Sequence, residues 1–202
     1  MKALAFADRC RDDLPGVPSP LLIRAVNECA RELCRVGRLW RVTFQIETDG
    51  AGVYPLTPLP ECGRLHDIDV VTLQDHEVLN VSRGASDLPE GTHWTRSGDA
   101  IELRCDPGTG TLVVQAVLIP DPDATELPDI LYDEWIEAIQ HGVKARLMAS
   151  PNKTWSAPQL VTYHADQWAT KLAIARSYGR AGGTTARRRS VDPWARRGGR
   201  AL

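Results

Sequence analysis

The sequence predicts an α+β fold: a three-helix bundle interrupted by an antiparallel β-sandwich or barrel-like insertion, followed by an extended basic C-terminal arm. Three observations carry that prediction. Apolar residues recur at steps of three and four from residue 19 to 40, and the same period returns from 127 to 178. Between 41 and 120 the period shortens to two, and Gly, Pro and Asp clusters interrupt it at strand-length intervals. Past residue 179 apolar residues nearly vanish and arginines dominate.

These shifts divide the chain into an N-terminal segment (1–18), the first bundle helix (19–40), the β insertion (41–120), a helical hairpin completing the bundle (121–178) and an Arg-rich C-terminal arm (179–202). Within 1–18, charged residues break up the apolar ones, so no signal-peptide core is present. In the first helix Ser19 is placed to cap and Pro20 to occupy the first helical position. Leu22, Val26, Cys29, Leu33, Val36 and Trp40 then form one apolar stripe, opposite a face of Arg and Glu.

Strands are expected at Arg41 to Glu47, Gly52 to Leu56, Arg64 to Leu73, Glu77 to Val81, His93 to Ser97, Ala100 to Arg104 and Thr111 to Ile119. The last is the most apolar and is expected to be central. Short strands at this spacing imply an antiparallel sandwich or small barrel. A helix then starts at Leu127-Pro-Asp-Ile130 and runs to Ser150, burying Leu131, Trp135, Ile139, Val143 and Leu147. The next, from Ser156-Ala-Pro158 to Gly179, is expected to turn Leu160, Tyr163, Trp168, Leu172 and Ala175 inward, and the short connection makes the two an antiparallel hairpin.

The chain has 202 residues, 43% of them hydrophobic and 25% charged, enough for a core without disulfides. Its five cysteines are odd in number and form no C-x-x-C pair, which argues against a disulfide framework or zinc ribbon and for a reducing compartment. No apolar run is long enough for a membrane helix. The formal charge of −2 is the sum of two unlike parts. Residues 179–202 carry seven arginines and one acid, while the remainder holds seventeen basic and twenty-five acidic residues. The basic segment has too few apolar residues to pack as a unit.

The search for chemistry yields no catalytic residue, metal site or cofactor. Phosphate-binding glycine loops, zinc-protease, nucleophile-elbow and EF-hand motifs are all missing. Asp121, Asp123, Glu126 and Asp129 read as a solvated linker and helix cap rather than a calcium loop. Glu137 and His141 stand four apart on one helix with His164 on the next, but no nucleophile accompanies them. His66-Asp67 and Asp75-His76 lack a third ligand.

Of six tryptophans, Trp40, Trp135 and Trp168 fall on apolar helical stripes, and Trp94 and Trp155 suit either burial or contact. Trp194 sits in the arm between arginine clusters, which suits an anchor on a partner. The candidate partner-binding residues are therefore Arg180, Arg187, Arg188, Arg189, Trp194, Arg196, Arg197 and Arg200. The same arginines would serve a nucleic-acid-binding module, the alternative reading.

The assembled residues resemble the head-to-tail adaptor proteins of tailed bacteriophages. The likeness spans about Ser19 to Tyr178: Leu21-Leu-Ile-Arg-Ala-Val-Asn-Glu-Cys-Ala-Arg-Glu-Leu-Cys34 running into Trp40, then Tyr54-Pro-Leu-Thr-Pro-Leu-Pro60 before Leu65 to Leu73. Its most specific part is Leu127-Pro-Asp-Ile-Leu-Tyr132 with Lys153-Thr-Trp-Ser-Ala-Pro158. The resemblance implies a non-enzymatic virion protein made in the host cytoplasm. It implies a homo-oligomeric, dodecameric ring in the head-tail neck, docked on the portal protein with tail or nozzle proteins below. Genomic DNA would pass through its channel without specific recognition, the arm would insert into the portal, and the β insertion would face outward or towards the tail. An acidic body suits a channel along which DNA must slide.

Overall fold

The computed structural model describes residues 1–73, 76–77, 79–80, 93–104 and 109–181, with backbone alone at 76, 77, 79 and 80. Helix and strand are mixed, as the α+β reading expects at that level. Five helices appear among the described residues: α1 (Ala3–Arg11), α2 (Ser19–Gly37), α3 (Asp129–Asp133), α4 (Ile136–Met148) and α5 (Pro158–Arg180). Between α2 and α3 run β1 (Trp40–Thr48), β2 (Gly52–Pro55), β3 (Gly63–Leu73), β4 (His76–Glu77), β5 (Leu79–Asn80), β6 (His93–Ser97), β7 (Ala100–Arg104) and β8 (Gly110–Pro120).

The helices bury one apolar cluster. α2 contributes Leu22, Val26, Cys29, Leu33 and Cys34, α4 contributes Ile139, Val143 and Leu147, and α5 contributes Ala175. α2, α4 and α5 pack on one another pairwise. α1 joins them through Ala3, Phe6, Ala7 and Cys10, all buried, with the Phe6 ring edge-on to Tyr132 at 5.2 Å. This helix lies in the segment for which the sequence reading assigned no element.

Three helix details differ from expectation. Pro18 rather than Ser19 is the α2 N-cap, so Pro20 falls in the first turn and Ser19 makes no side-chain cap. α2 ends at Gly37, not Trp40, because Arg38 adopts a left-handed conformation (φ 50°) that turns the chain into β1. The single helix expected from 127 to 150 is broken at Glu134 and Trp135, where Trp135 is buried edge-on to Tyr178 of α5.

The strands form two sheets, ordered β1-β8-β3-β4 and β2-β7-β6-β5. β8 lies between β1 and β3, antiparallel to both, as its apolar run predicts. All pairs are antiparallel except β5 with β6, which is parallel. The strand expected from Glu77 to Val81 divides: β4 pairs in the first sheet and β5 in the second, so the chain changes sheets there, and Val81 is outside the described residues. The sheets do not close into a barrel. They share one apolar cluster, with Phe44, Ile68, Val71 and Val114 from the first and Trp94, Ile101 and Leu103 from the second. Trp40 packs against both this cluster and the helical one.

Candidate partner-binding surfaces

Of the partner-binding residues read from the sequence, Arg180 is described, and Arg187, Arg188, Arg189, Trp194, Arg196, Arg197 and Arg200 lie outside the described residues. Arg180 is exposed on the last turn of α5, but the residue before it is fixed. Gly179 is buried against the end of α2, so closely that a Cβ there would fall on the Gly37 carbonyl oxygen. Arg41 of β1 donates from Nη2 to the Gly179 carbonyl at 2.7 Å and from Nε to Asp69 of β3 at 2.7 Å. Arg38 pairs with the same Asp69 and with Asp67. Asp69 thus sits between two guanidiniums and ties α2, β1, β3 and the end of α5 into one junction. The chain leaves this junction at a defined point.

A second surface lies where α1 and α2 meet residues 122–126. Asn27 on α2 is buried, and its Nδ2 donates to the carbonyls of Pro122 (3.1 Å) and Ala124 (2.9 Å), holding that segment against the helix. The result is a groove of about 710 Å³ lined by Leu4, Pro20, Ile23, Asn27, Asp123 and Glu126, among others. Asn27 Oδ1 is buried with no hydrogen-bond partner among the described residues. Leu4 of the lining is exposed, as is Met1 next to Lys2.

The third surface is the outer face of α5. Leu160 and Tyr163, expected to point inward, are 43% and 56% exposed, and Ile174 is 53% exposed. The helix buries only His164, Ala175 and Gly179 completely, because it leans on α2 and α4 along a narrow strip.

The groups with catalytic potential have found other partners. Glu137 is bound by Lys171 of α5 at 2.8 Å, which holds its carboxyl below the usual range. His141 instead meets His164, Nδ1 to Nδ1 at 2.9 Å, with Tyr163 edge-on to both rings. Burial is the larger cause holding both imidazoles below their ordinary pKa, with the Lys144 charge adding to it. Burial likewise pushes the Cys10 thiol up to about 11 and those of Cys29 and Cys34 to about 12, far from nucleophilic. Cys62 is half-buried, and Cys105 lies outside the described residues, as do Asp75 and the His76 side chain. The His66 carbonyl accepts from Arg96, and its ring stands among the charges of Asp67 and Arg38. Among the described residues, no three metal-binding side chains converge and no helix is long and apolar enough to cross a membrane.

Sequence reading missed the groove because it assigned no structure to 1–18. The signal was present: Ala3, Phe6, Ala7 and Cys10 recur at helical spacing.

Against known proteins, no curated protein matches the chain. A family model described as SU10 adaptor protein matches residues 1–197. Because that match runs through every helix and strand described above, the chain belongs to the SU10 adaptor protein family, structural adaptors of bacteriophage virions that associate with other virion proteins.

Proposed function

We propose that the protein is a head-to-tail adaptor that assembles as a dodecameric ring beneath the portal, extends the DNA channel and joins capsid to tail. In that ring the region 41–120 faces outward or towards the tail, and the Arg-rich arm beyond the Gly179 junction docks into the portal. The observation that carries this reading is the junction at Gly179. Immobilised by α2 and Arg41, it releases the chain at exposed Arg180, directly before a sequence with six further arginines and Trp194. Arginine forks and a large aromatic anchor are the residue types that dominate binding energy at large protein interfaces.

Trp194→Ala and charge reversal at Arg187, Arg188 and Arg189 are expected to impair attachment to the portal while leaving the melting temperature of the isolated chain unchanged. Undiminished portal binding by both variants would overturn the docking assignment. Localising the chain in a cryo-EM reconstruction of virion necks tests the ring and its stoichiometry.

The arginine content also favours a second reading, in which this segment binds nucleic acid phosphates. It requires DNA retention that falls steeply with salt and vanishes when residues 182–202 are removed. Portal binding without DNA retention sets it aside.

A further inference from the structure

We propose that the pair of His141 and His164 is an acid-operated catch: once both rings carry a proton, the first part of α5, from Pro158 to Gln167, parts from α4, while the Gly179 junction keeps hold of the far end of the helix.

The first support is where α5 is tied down. Its buried side chains are His164, Ala175 and Gly179, so His164 alone is buried in the first part. The far end is held several times over, by Gly179 against Gly37, by Arg41 on the Gly179 carbonyl and by Tyr178 edge-on to Trp135. Trp168 marks the boundary. It is half-buried against the helical core, with Gly142 of α4 beneath it and the Arg146 guanidinium 5.5 Å from its ring centre. Before Trp168, the buried tie to α4 is His164 Nδ1 against His141 Nδ1 at 2.9 Å.

The second support is what that tie can tolerate. A hydrogen bond between two Nδ1 atoms needs one lone pair, so only one proton fits between them. A first added proton goes to the Nε2 of the donating ring and leaves the bond in place. A second must occupy the remaining Nδ1, and it sets two N–H groups against each other. The charged and titratable groups facing the pair are Glu137 and Lys144 of α4, Lys171 of α5 and Asp13 beyond α1. Glu137 is already bound by Lys171 at 2.8 Å and Asp13 by Lys144 at 2.6 Å, so neither carboxylate is free to offset a second imidazolium. Burial acts in the same direction and is the first cause holding both rings below the ordinary 6.5. An opened α5 returns the rings to water, where they take up protons below 6.5, so opening is favoured as pH falls through that value. A detached helical stretch this short does not keep its backbone hydrogen bonds in water, and release therefore exposes its amides.

The test is hydrogen exchange of the full chain followed by mass spectrometry at pH 7.5 and 5.5, each rate corrected for the intrinsic chemistry of exchange. Each imidazole that is protonated only in the open form raises the opening constant about tenfold over that interval. Peptides covering residues 162–167 are therefore expected to lose at least about tenfold in protection, those covering 175–180 to keep theirs, and a return to pH 7.5 to restore the first set. Equal losses along the whole of α5, or none in 162–167, overturn the proposal. In His141→Gln/His164→Gln the protection of 162–167 is expected to be the same at both pH values, and a parent-like loss there overturns it. Lys171→Met, a change at the surface that leaves the pair intact, frees Glu137 to accept the charge of His141 four residues on. Its release is expected at lower pH than in the parent, and an unmoved or higher midpoint overturns the assignment.

Discussion

At His141 and His164 a hydrogen bond between two imidazoles makes one helix contact depend on protonation. The bond needs one ring with a free Nδ1 lone pair, so both rings cannot carry a proton there. Burial first, then for His141 the charge of His164 ahead of Lys144 and Lys171, and for His164 that of Lys144, hold the rings below the ordinary 6.5, against the opposing pull of Glu137 on His141 and Asp13 on His164. A base whose pKa is lowered by folding stays neutral in the native state while the unfolded chain takes up protons below 6.5, so stability present above that value is lost as pH falls through it. The melting temperature is expected to drop more between roughly pH 7.5 and 5.5 in the parent than in His141→Gln/His164→Gln. Equal drops would assign the acid sensitivity elsewhere, His66 being the remaining depressed imidazole among the described residues. Gly179→Ala offers a second test at this scale. Its methyl would be driven onto the Gly37 carbonyl and is expected to cost about 1–3 kcal/mol in denaturant unfolding. Neither site was legible as a pair in the sequence. Helical spacing put Glu137 within reach of His141, but Lys171 and His164 compete from the facing helix, and local spacing contains no information about that encounter.

Among the elements, the strands were the most legible. His93–Ser97 and Ala100–Arg104 have the bounds their alternation predicts, and the apolar run of β8 announced its central place. Elements governed by contacts distant in sequence were not. α1 was obscured by Asp8, Arg9, Arg11, Asp12 and Asp13, although Phe6 and Cys10 are fully buried. Phe6→Ala is expected to destabilise the chain by about 3–5 kcal/mol in chemical denaturation. A loss below about 1 kcal/mol would mean that α1 is peripheral to the core. The α3–α4 break has no Gly or Pro at Glu134 or Trp135 to signal it, and arises where Trp135 seats against Tyr178. α5 was misread in part because periodicity says which residues share a stripe, not how wide a strip the neighbours cover. Its Leu160 and Tyr163 belong to the apolar pattern yet lie on the open side.

For the whole molecule, the division of charge was readable from composition alone, and the family match agrees with the role that residue pattern suggested. The geometry of the faces was not readable, since it depends on which furrow each helix occupies. Removing residues 182–202 takes away six arginines and one aspartate, shifting the formal charge from −2 to about −7. Both described apolar clusters are built from residues up to Tyr178, so the shortened chain is expected to melt within about 0.5 kcal/mol of the parent. Its affinity for the portal is expected to disappear, and that of the parent to fall as ionic strength rises. Salt-independent portal binding by the parent would show that Trp194 and apolar contacts, not the arginines, carry the attachment.

The backbone contact between Gly37 and Gly179 also defines a path for mechanical load. Tension applied beyond Arg180 enters the end of α5, passes sideways into the end of α2, and through Arg41 and Asp69 spreads from β1 across β8 to β3. Those strands resist separation through whole ladders of hydrogen bonds rather than one bond at a time. A strain at the C-terminal end is therefore shared between the helices and the sheet.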